Sequence, residues 1–302
     1  MAGKFDLCAE VTQTILDHLE AGVAPWRRPW DAGGAVGLPL RVTGEPYRGV
    51  NVVLLWQKAV AKGYRSLTWM TYRQAAQLGG QVRKGEKSTM VVKMGTHVKP
   101  GEVDAVSGEM GEDRVFRFMR AYKVFNVAQI DGLDARFYSE PKPPRSFGTR
   151  ADPAVLAWLA RTGIALEVTA DPRAYYSPVR DVIHMPPAET FEDGAAHAGV
   201  LLHEAVHGSG HKSRLNRTFG KAFGDADYCR EEAVAEVGSA ILGAQLGIEP
   251  RFEENAAYLA SWIAVMRTDH RAVLRAASAA QKASDWLIDR GGLLDDPVLL
   301  AS

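Results

Sequence analysis

The chain of 302 residues is 46% hydrophobic and 24% charged, proportions of an ordinary globular protein able to bury one to three cores. Two cysteines exclude a disulfide framework, and the most apolar run, 233–248, is broken by Glu236 and Gln245, so a cytoplasmic protein with no membrane partner is expected. The zero net charge hides an asymmetry: residues 1–145 hold 21 Lys+Arg against 15 Asp+Glu and residues 146–302 hold 15 against 21, which predicts a basic and an acidic half with different partners.

Phe5, Leu7, Val11, Ile15, Leu16 and Leu19 recur at mostly helical spacing, and Gly22 ends that helix. Next comes Pro25-Trp26-Arg27-Arg28-Pro29-Trp30, too proline-bound for a helix interior. Two tryptophans bracketing two arginines suit a single-stranded nucleic-acid platform, with rings on bases and guanidinium groups on phosphates. The same tryptophans suit core anchors held in a rigid turn. Gly44-Glu45-Pro46-Tyr47-Arg48-Gly49-Val50-Asn51 then leads into a helix over 52–61. Thr71 caps a short helix at 72–78, closed by Gly79-Gly80. Val82-Arg83-Lys84-Gly85-Glu86-Lys87 reads as a charged turn before a strand at 89–94, a polar hairpin tip over 95–113, and a returning strand at 115–125. This half is α+β in pattern.

The proline-rich stretch 139–148 reads as an extended linker. It divides the chain into domains at 1–140 and 152–302, joined by 141–151. Asp152 caps a helix with Pro153 at its first position. Strands are expected at 164–169 and 179–184, the second at a sheet edge where an extended peptide adds by strand pairing. His184 in that strand suits a transition-state donor facing the cleft, but reads better as a surface residue. Asn255 opens a long helical run to residue 290, with Trp262, Met266 and Leu274 facing the core.

The chemistry concentrates in His203-Glu204-Ala205-Val206-His207, an H-E-x-x-H pattern. Residues four apart on a helix share a face, so both imidazoles reach one point, where they suit a zinc ion. Glu204 is placed to act as general base toward water at the open position. A third histidine six residues after His207 is absent, because that position is Ser213. Glu231-Glu232-Ala233-Val234-Ala235-Glu236 supplies a glutamate on a second helix instead. This looks like the gluzincin arrangement, with His203, His207 and Glu232 as ligands. Glu236 sits behind them to orient a histidine.

Pro-Trp-x-x-Pro-Trp at 25–30, Tyr-Arg-Gly-x-Asn at 47–51, Trp-x-Thr-Tyr-x-Gln-Ala at 69–75, Val-Arg-Lys-Gly-Glu at 82–86 and Val-Phe-Asn at 124–126 resemble the N-terminal domain of ArdC-type antirestriction proteins. That domain also occurs in TraC-type plasmid primases. The second half resembles the family's zincin-like metallopeptidase domain. Its carriers are Asp181-x-Ile183-x-x-Pro186, His203-Glu204-x-x-His207, Gly210-His211-x-x-Arg214-Leu215-x-Arg217, Glu231-Glu232-x-Val234-Ala235-Glu236 and Tyr258-x-x-x-Trp262. One departure is 38–42, where the family carries an asparagine soon after the proline. The resemblance implies an α+β single-stranded-DNA-binding domain followed by a zincin-like domain, in a protein that helps a mobile element enter a host despite its restriction enzymes. Candidate DNA contacts are Trp26, Arg27, Arg28, Trp30, Arg48, Arg83 and Lys84. The cofactor is one divalent metal, zinc by default with manganese or cobalt as alternatives.

Two readings compete at this point. In one, the basic half holds single-stranded DNA and the acidic half hydrolyses a peptide bond in an unidentified protein. In the other, the protein sheathes DNA, and its metal domain is structural or acts only on itself.

Overall fold

The computed structural model describes residues 6–22, 24, 26, 37–99, 113–142, 145–148, 150–220, 225–250 and 256–294. The first helix, α1 (Leu7–Glu20), starts where the Asp6 carboxylate accepts the Cys8 N–H at 2.9 Å, and it buries Val11, Ile15, Leu16 and Leu19. Strand β1 (Leu40–Arg41) and α2 (Val50–Lys62) follow; α2 begins after Gly49 and ends at Gly63, both at positive φ. Strand β2 (Thr68–Met70) runs into α3 (Tyr72–Gln77), where Thr71 is the cap, as expected, and forms a reciprocal capping box with Gln74.

The hairpin of β4 (Thr89–Lys99) and β5 (Arg114–Asn126) extends one sheet, in the order β1-β2-β5-β4. Strand β4 forms its edge, and Asn51 covers that edge at one point. Its Nδ2 donates to the Val92 carbonyl and its Oδ1 accepts the Val92 N–H, both at 2.8 Å. Pairing continues to Lys99 opposite Arg114, so 95–99 are strand where a hairpin tip was expected. The far end of this ribbon is exposed on both faces. No buried face imposes alternation there, which is why the sequence pattern does not report it. Short strands β3 (Gln81–Val82) and β6 (Ile130–Asp131) pair beneath a small cluster that includes Met70, Val127 and Phe137.

In the second half, α4 (Pro153–Thr162) has Asp152 as its cap and Pro153 in its first turn. Strands β7 (Ala165–Val168), β8 (Tyr175–Ser177) and β9 (Val182–Met185) form a sheet in the order β7-β9-β8. β9 is therefore the middle strand of three, and the expectation that it lies at an edge is corrected; the edges are β7 and β8, the latter between the two expected strands. His184 is likewise buried and stacks on Tyr175 with ring centroids 4.6 Å apart.

Helices α5 (Gly194–Ser209), α6 (Ala226–Leu246), α7 (Ala256–Thr268) and α8 (Ala272–Gly291) follow among the described residues. Asn255, the expected cap, lies outside the described residues. The single run expected to residue 290 is two helices. Asp269 breaks it by turning its carboxylate onto the Arg271 N–H at 3.0 Å, a local bond that competes with the helix. Trp262, Met266 and Leu274 are buried, as their spacing predicts.

The two halves share one continuous apolar cluster, in which Ile15, Trp56 and Trp69 join Trp158, Ile241 and Trp262. Polar contacts also cross between them. Thr12 Oγ1 donates to the His270 carbonyl at 2.7 Å, and the Gly49 N–H donates to Gln281 Oε1 at 2.9 Å. Within the linker, the Arg145 N–H donates to the Gly247 carbonyl at 2.7 Å. Such a joint resists hinge motion more than an extended proline spacer would.

Candidate metal centre and nucleic-acid residues

Asp193 caps α5 by accepting the Ala196 N–H at 2.7 Å, and His203 and His207 emerge one turn apart on the same face. Their Nε2 atoms stand 3.2 Å from each other. Asp225 caps α6 in the same way, accepting the Tyr228 N–H at 2.7 Å. The two helices approach closely at Gly238, where an added Cβ would lie 2.9 Å from Val206 Cγ1. This approach sets Glu232 Oε2 3.5 Å from His203 Nε2 and Glu232 Oε1 3.5 Å from His207 Nε2.

Two imidazole nitrogens and a carboxylate are the donor set of a divalent-metal site. Three donors held at 2.0–2.1 Å by one tetrahedral ion would lie about 3.3–3.4 Å apart. The two Nε2 atoms, 3.2 Å apart, fit that spacing, each has a different Glu232 oxygen 3.5 Å away, and these three residues are the cluster able to hold a metal among the described residues. Electrostatics agree with the geometry. Burial opposes charge on His207, but Glu232 and Glu231 outweigh it and hold the imidazole well above its usual range. His203 is raised against its own burial by Glu232, and Glu204 adds to the effect. Burial also opposes ionisation of Glu232, yet the two histidines hold it below the carboxylate range. The pocket favours positive charge at the point where the three donors meet.

Glu231 supplies the support expected of Glu236. His207 Nδ1 lies 3.1 Å from Glu231 Oε1, a partner that holds a proton on Nδ1, so that loss of the Nε2 proton turns the free lone pair toward Glu232 and His203. Arg217 grips Glu231 with two bonds, Nε to Oε2 at 2.9 Å and Nη2 to Oε1 at 2.7 Å. The same guanidinium donates to the Val206 carbonyl at 2.7 Å and to Ser209 Oγ at 2.9 Å. Arg217 thus ties the end of α5 to the start of α6. Burial raises the Glu231 carboxyl, but Arg217 and His207 hold it below its ordinary value. Arg214 makes a parallel tie, from Asp181 at 2.5 Å to the Gly208 carbonyl at 3.0 Å.

Glu236 accepts instead from Trp26, whose Nε1 donates to its Oε2 at 2.6 Å. Trp26 is 1% exposed. This corrects both expectations: the Glu236 oxygen faces an indole, and Trp26 is a core residue whose ring no base can reach in this conformation. Glu204 is buried and follows His203 directly on α5. On the nucleic-acid side, Arg27, Arg28 and Trp30 lie outside the described residues. Arg48 pairs with Asp285 of α8. Arg83 is engaged by Asp131 at 3.2 Å, Glu86 at 3.0 Å and the Ala128 carbonyl at 2.5 Å, so it braces the turn. Lys84 is exposed.

Sequence reasoning missed Glu231 and Arg217. The available signal was Arg-Leu-x-Arg at 214–217 beside a pair of adjacent glutamates, and only the fold chooses between the two carboxylates.

Residues 5–125 match the family described as the N-terminal domain of anti-restriction factor ArdC, and residues 153–279 match the zincin-like metallopeptidase family. The protein y4eC of Sinorhizobium fredii is 38% identical over 287 residues, covering 93% of this chain and 91% of that protein. DNA primase TraC of Escherichia coli is 35% identical over 295 residues, 92% of this chain but 27% of the primase. The crystal structure of the antirestriction ArdC protein from plasmid R388, in metal-free form, superposes with a TM-score of 0.82 at 45% identity, covering 95% of this chain and 98% of that one. Its Mn(II)-bound form superposes with a TM-score of 0.79 at 44% identity, covering 95% and 99%. With an N-terminal ArdC domain, a zincin-like domain that implies a divalent metal, and the R388 ArdC protein matched over nearly its whole length at 45% identity, the chain belongs to the ArdC antirestriction protein family.

Proposed function

We propose that this chain binds single-stranded DNA as it enters a new host cytoplasm and hydrolyses a peptide bond in a protein partner at the His203–His207–Glu232 centre. The observation that carries the hydrolytic part is the meeting of two imidazole Nε2 atoms 3.2 Å apart with the Glu232 carboxylate, one oxygen 3.5 Å from each, and Glu204 on the same helix turn. A bound divalent ion, zinc by the donor set and manganese or cobalt on the same ligands, supplies Lewis acidity at the open position. Glu204 takes the proton of the attacking water and returns it to the departing amine nitrogen. Glu231 and Arg217 keep His207 in the tautomer that presents Nε2. The three ligand side chains are 17%, 11% and 21% exposed. They are reachable from solvent, which favours chemistry over a closed structural site.

The DNA-binding part is supported by the N-terminal family match and by the basic charge of residues 1–145. Lys84, Arg27, Arg28 and Trp30 remain candidate contacts. The test uses the full chain stripped of metal and reloaded with zinc or manganese. Cleavage of a peptide library is read by mass spectrometry, and binding to a labelled oligonucleotide by fluorescence anisotropy. Absence of cleavage with either metal removes the peptidase part, and equal affinity for duplex removes the single-strand part.

A further inference from the structure

The β4–β5 ribbon carries a pattern that the buried Trp26 does not. Across Thr89–Lys99 and Arg114–Asn126 there are six lysines and arginines and no aspartate or glutamate. Alternate residues of a strand share a face. Phe116, Phe118, Arg120 and Tyr122 therefore project together, with His97, Gly95, Lys93 and Val91 opposite them in register. Phe116 is 51% exposed, Phe118 36% and Tyr122 41%. Arg120 and Lys93, paired in the middle of this ladder, are exposed as well.

Phe118 lies over Gly95, where an added Cβ would come within 2.6 Å of its Cζ, and the Arg120 guanidinium sits 5.3 Å from the Phe118 ring centre. At its root the ladder enters a cleft of 820 Å³ that Tyr122 and Lys93 share with Arg41, Tyr47 and Arg48 from the loops of the first half and with Lys282 from α8.

We propose that this face is the base-stacking track for single-stranded nucleic acid, with Tyr122, Phe118 and Phe116 under bases and Lys93, Arg120 and Lys282 on phosphates. The inference deepens the reading that the chain binds single strands and rests on it. Exposed rings offer π-faces that any unpaired base can cover, whereas a duplex keeps its base faces stacked inside. Cations between the rings match a backbone with one charge per nucleotide, and the absence of carboxylates on the ribbon removes the repulsion a polyanion would meet. Because α8 contributes Lys282, the track is built by both halves of the chain.

The test is fluorescence anisotropy of the full chain with a labelled mixed-sequence oligonucleotide, across a salt series. Circular dichroism checks that each variant folds. Tyr122→Ala and Phe118→Ala should each weaken binding by about 5-fold or more, with the salt slope nearly unchanged. Lys93→Gln/Arg120→Gln should lower that slope by about 1.4, at roughly 0.7 per phosphate contact on a single strand. Gly95→Ala, which displaces the Phe118 ring and leaves every charge in place, should also weaken binding. Val115→Ser, paired with Val98 on the opposite face, should not.

If the wild-type chain fails to bind the oligonucleotide, the single-strand reading falls and takes the track with it. If it binds and folded Tyr122→Ala/Phe118→Ala binds equally well, only the track is overturned. A wild-type chain that prefers vesicles of anionic phosphatidylglycerol to the oligonucleotide would also overturn it, since aromatic and cationic residues on one face suit a lipid surface too.

Discussion

Changing Glu231 to glutamine tests whether the metal centre is organised from behind. The substitution keeps the volume and an oxygen for the His207 Nδ1–H, but it removes the charge that Arg217 grips at 2.7 and 2.9 Å. The Glu231 side chain is 5% exposed and that of Arg217 is 11% exposed, so solvent cannot replace the lost partner. Leaving one member of a buried pair uncompensated costs about 3–5 kcal/mol. Urea unfolding of the metal-free chain should lose stability on that scale. A partner that orients a ligating histidine is worth about 10–100-fold in metal affinity. Competition against a chromophoric chelator should show this loss in the folded variant. The assay would falsify the assignment if folded Glu231→Gln bound zinc as tightly as wild type. In that case His207 is held by α5 alone.

Glu204→Ala should retain fold, metal and oligonucleotide affinity while abolishing peptide cleavage, because it removes only the proton carrier; cleavage at the wild-type rate would rule that role out. Trp26→Phe removes an indole donor to Glu236 and should cost about 0.5–3 kcal/mol in chemical unfolding, the range for a hydrogen bond to a carboxyl group. Its oligonucleotide affinity should be unchanged, and a folded variant with weakened binding would restore Trp26 as a DNA contact. His197 is buried against Phe191, and burial lowers its pKa below the ordinary 6.5, partly offset by Glu189. As pH falls, the unfolded chain therefore takes up this proton first. Stability owed to the neutral His197 is complete above pH 6.5 and drains away as pH falls through the lower folded value. In the metal-free chain His197→Gln should flatten the unfolding free energy over that window, and an unchanged pH profile would exclude the effect.

Much of this architecture is legible in local chemistry. The Thr71 cap, the Asp152–Pro153 helix start and the spacing of His203 and His207 are short-range signals, and each appears where the residues place it. Four features are not local. The hairpin beyond Met94 has no buried face, so hydrophobic alternation is silent and backbone pairing alone continues it to Lys99. Strand β9 is central because β8 pairs along it, an arrangement the intervening turn conceals. Trp26 was open to two readings, and Glu236, 210 residues away, decides between them by accepting its indole N–H. The exchange of Glu236 for Glu231 has the same origin. Adjacent helix positions point in different directions, and the residue facing His207 depends on how α6 crosses α5.

The central claim is that His203, His207 and Glu232 hold one divalent ion, and metal analysis of purified chain tests it most directly. Wild type dialysed against zinc or manganese should carry one ion per chain, and folded His203→Ala/His207→Ala treated identically should carry none. Full occupancy in the double variant, or a wild-type chain that stays empty with either metal, would contradict the account.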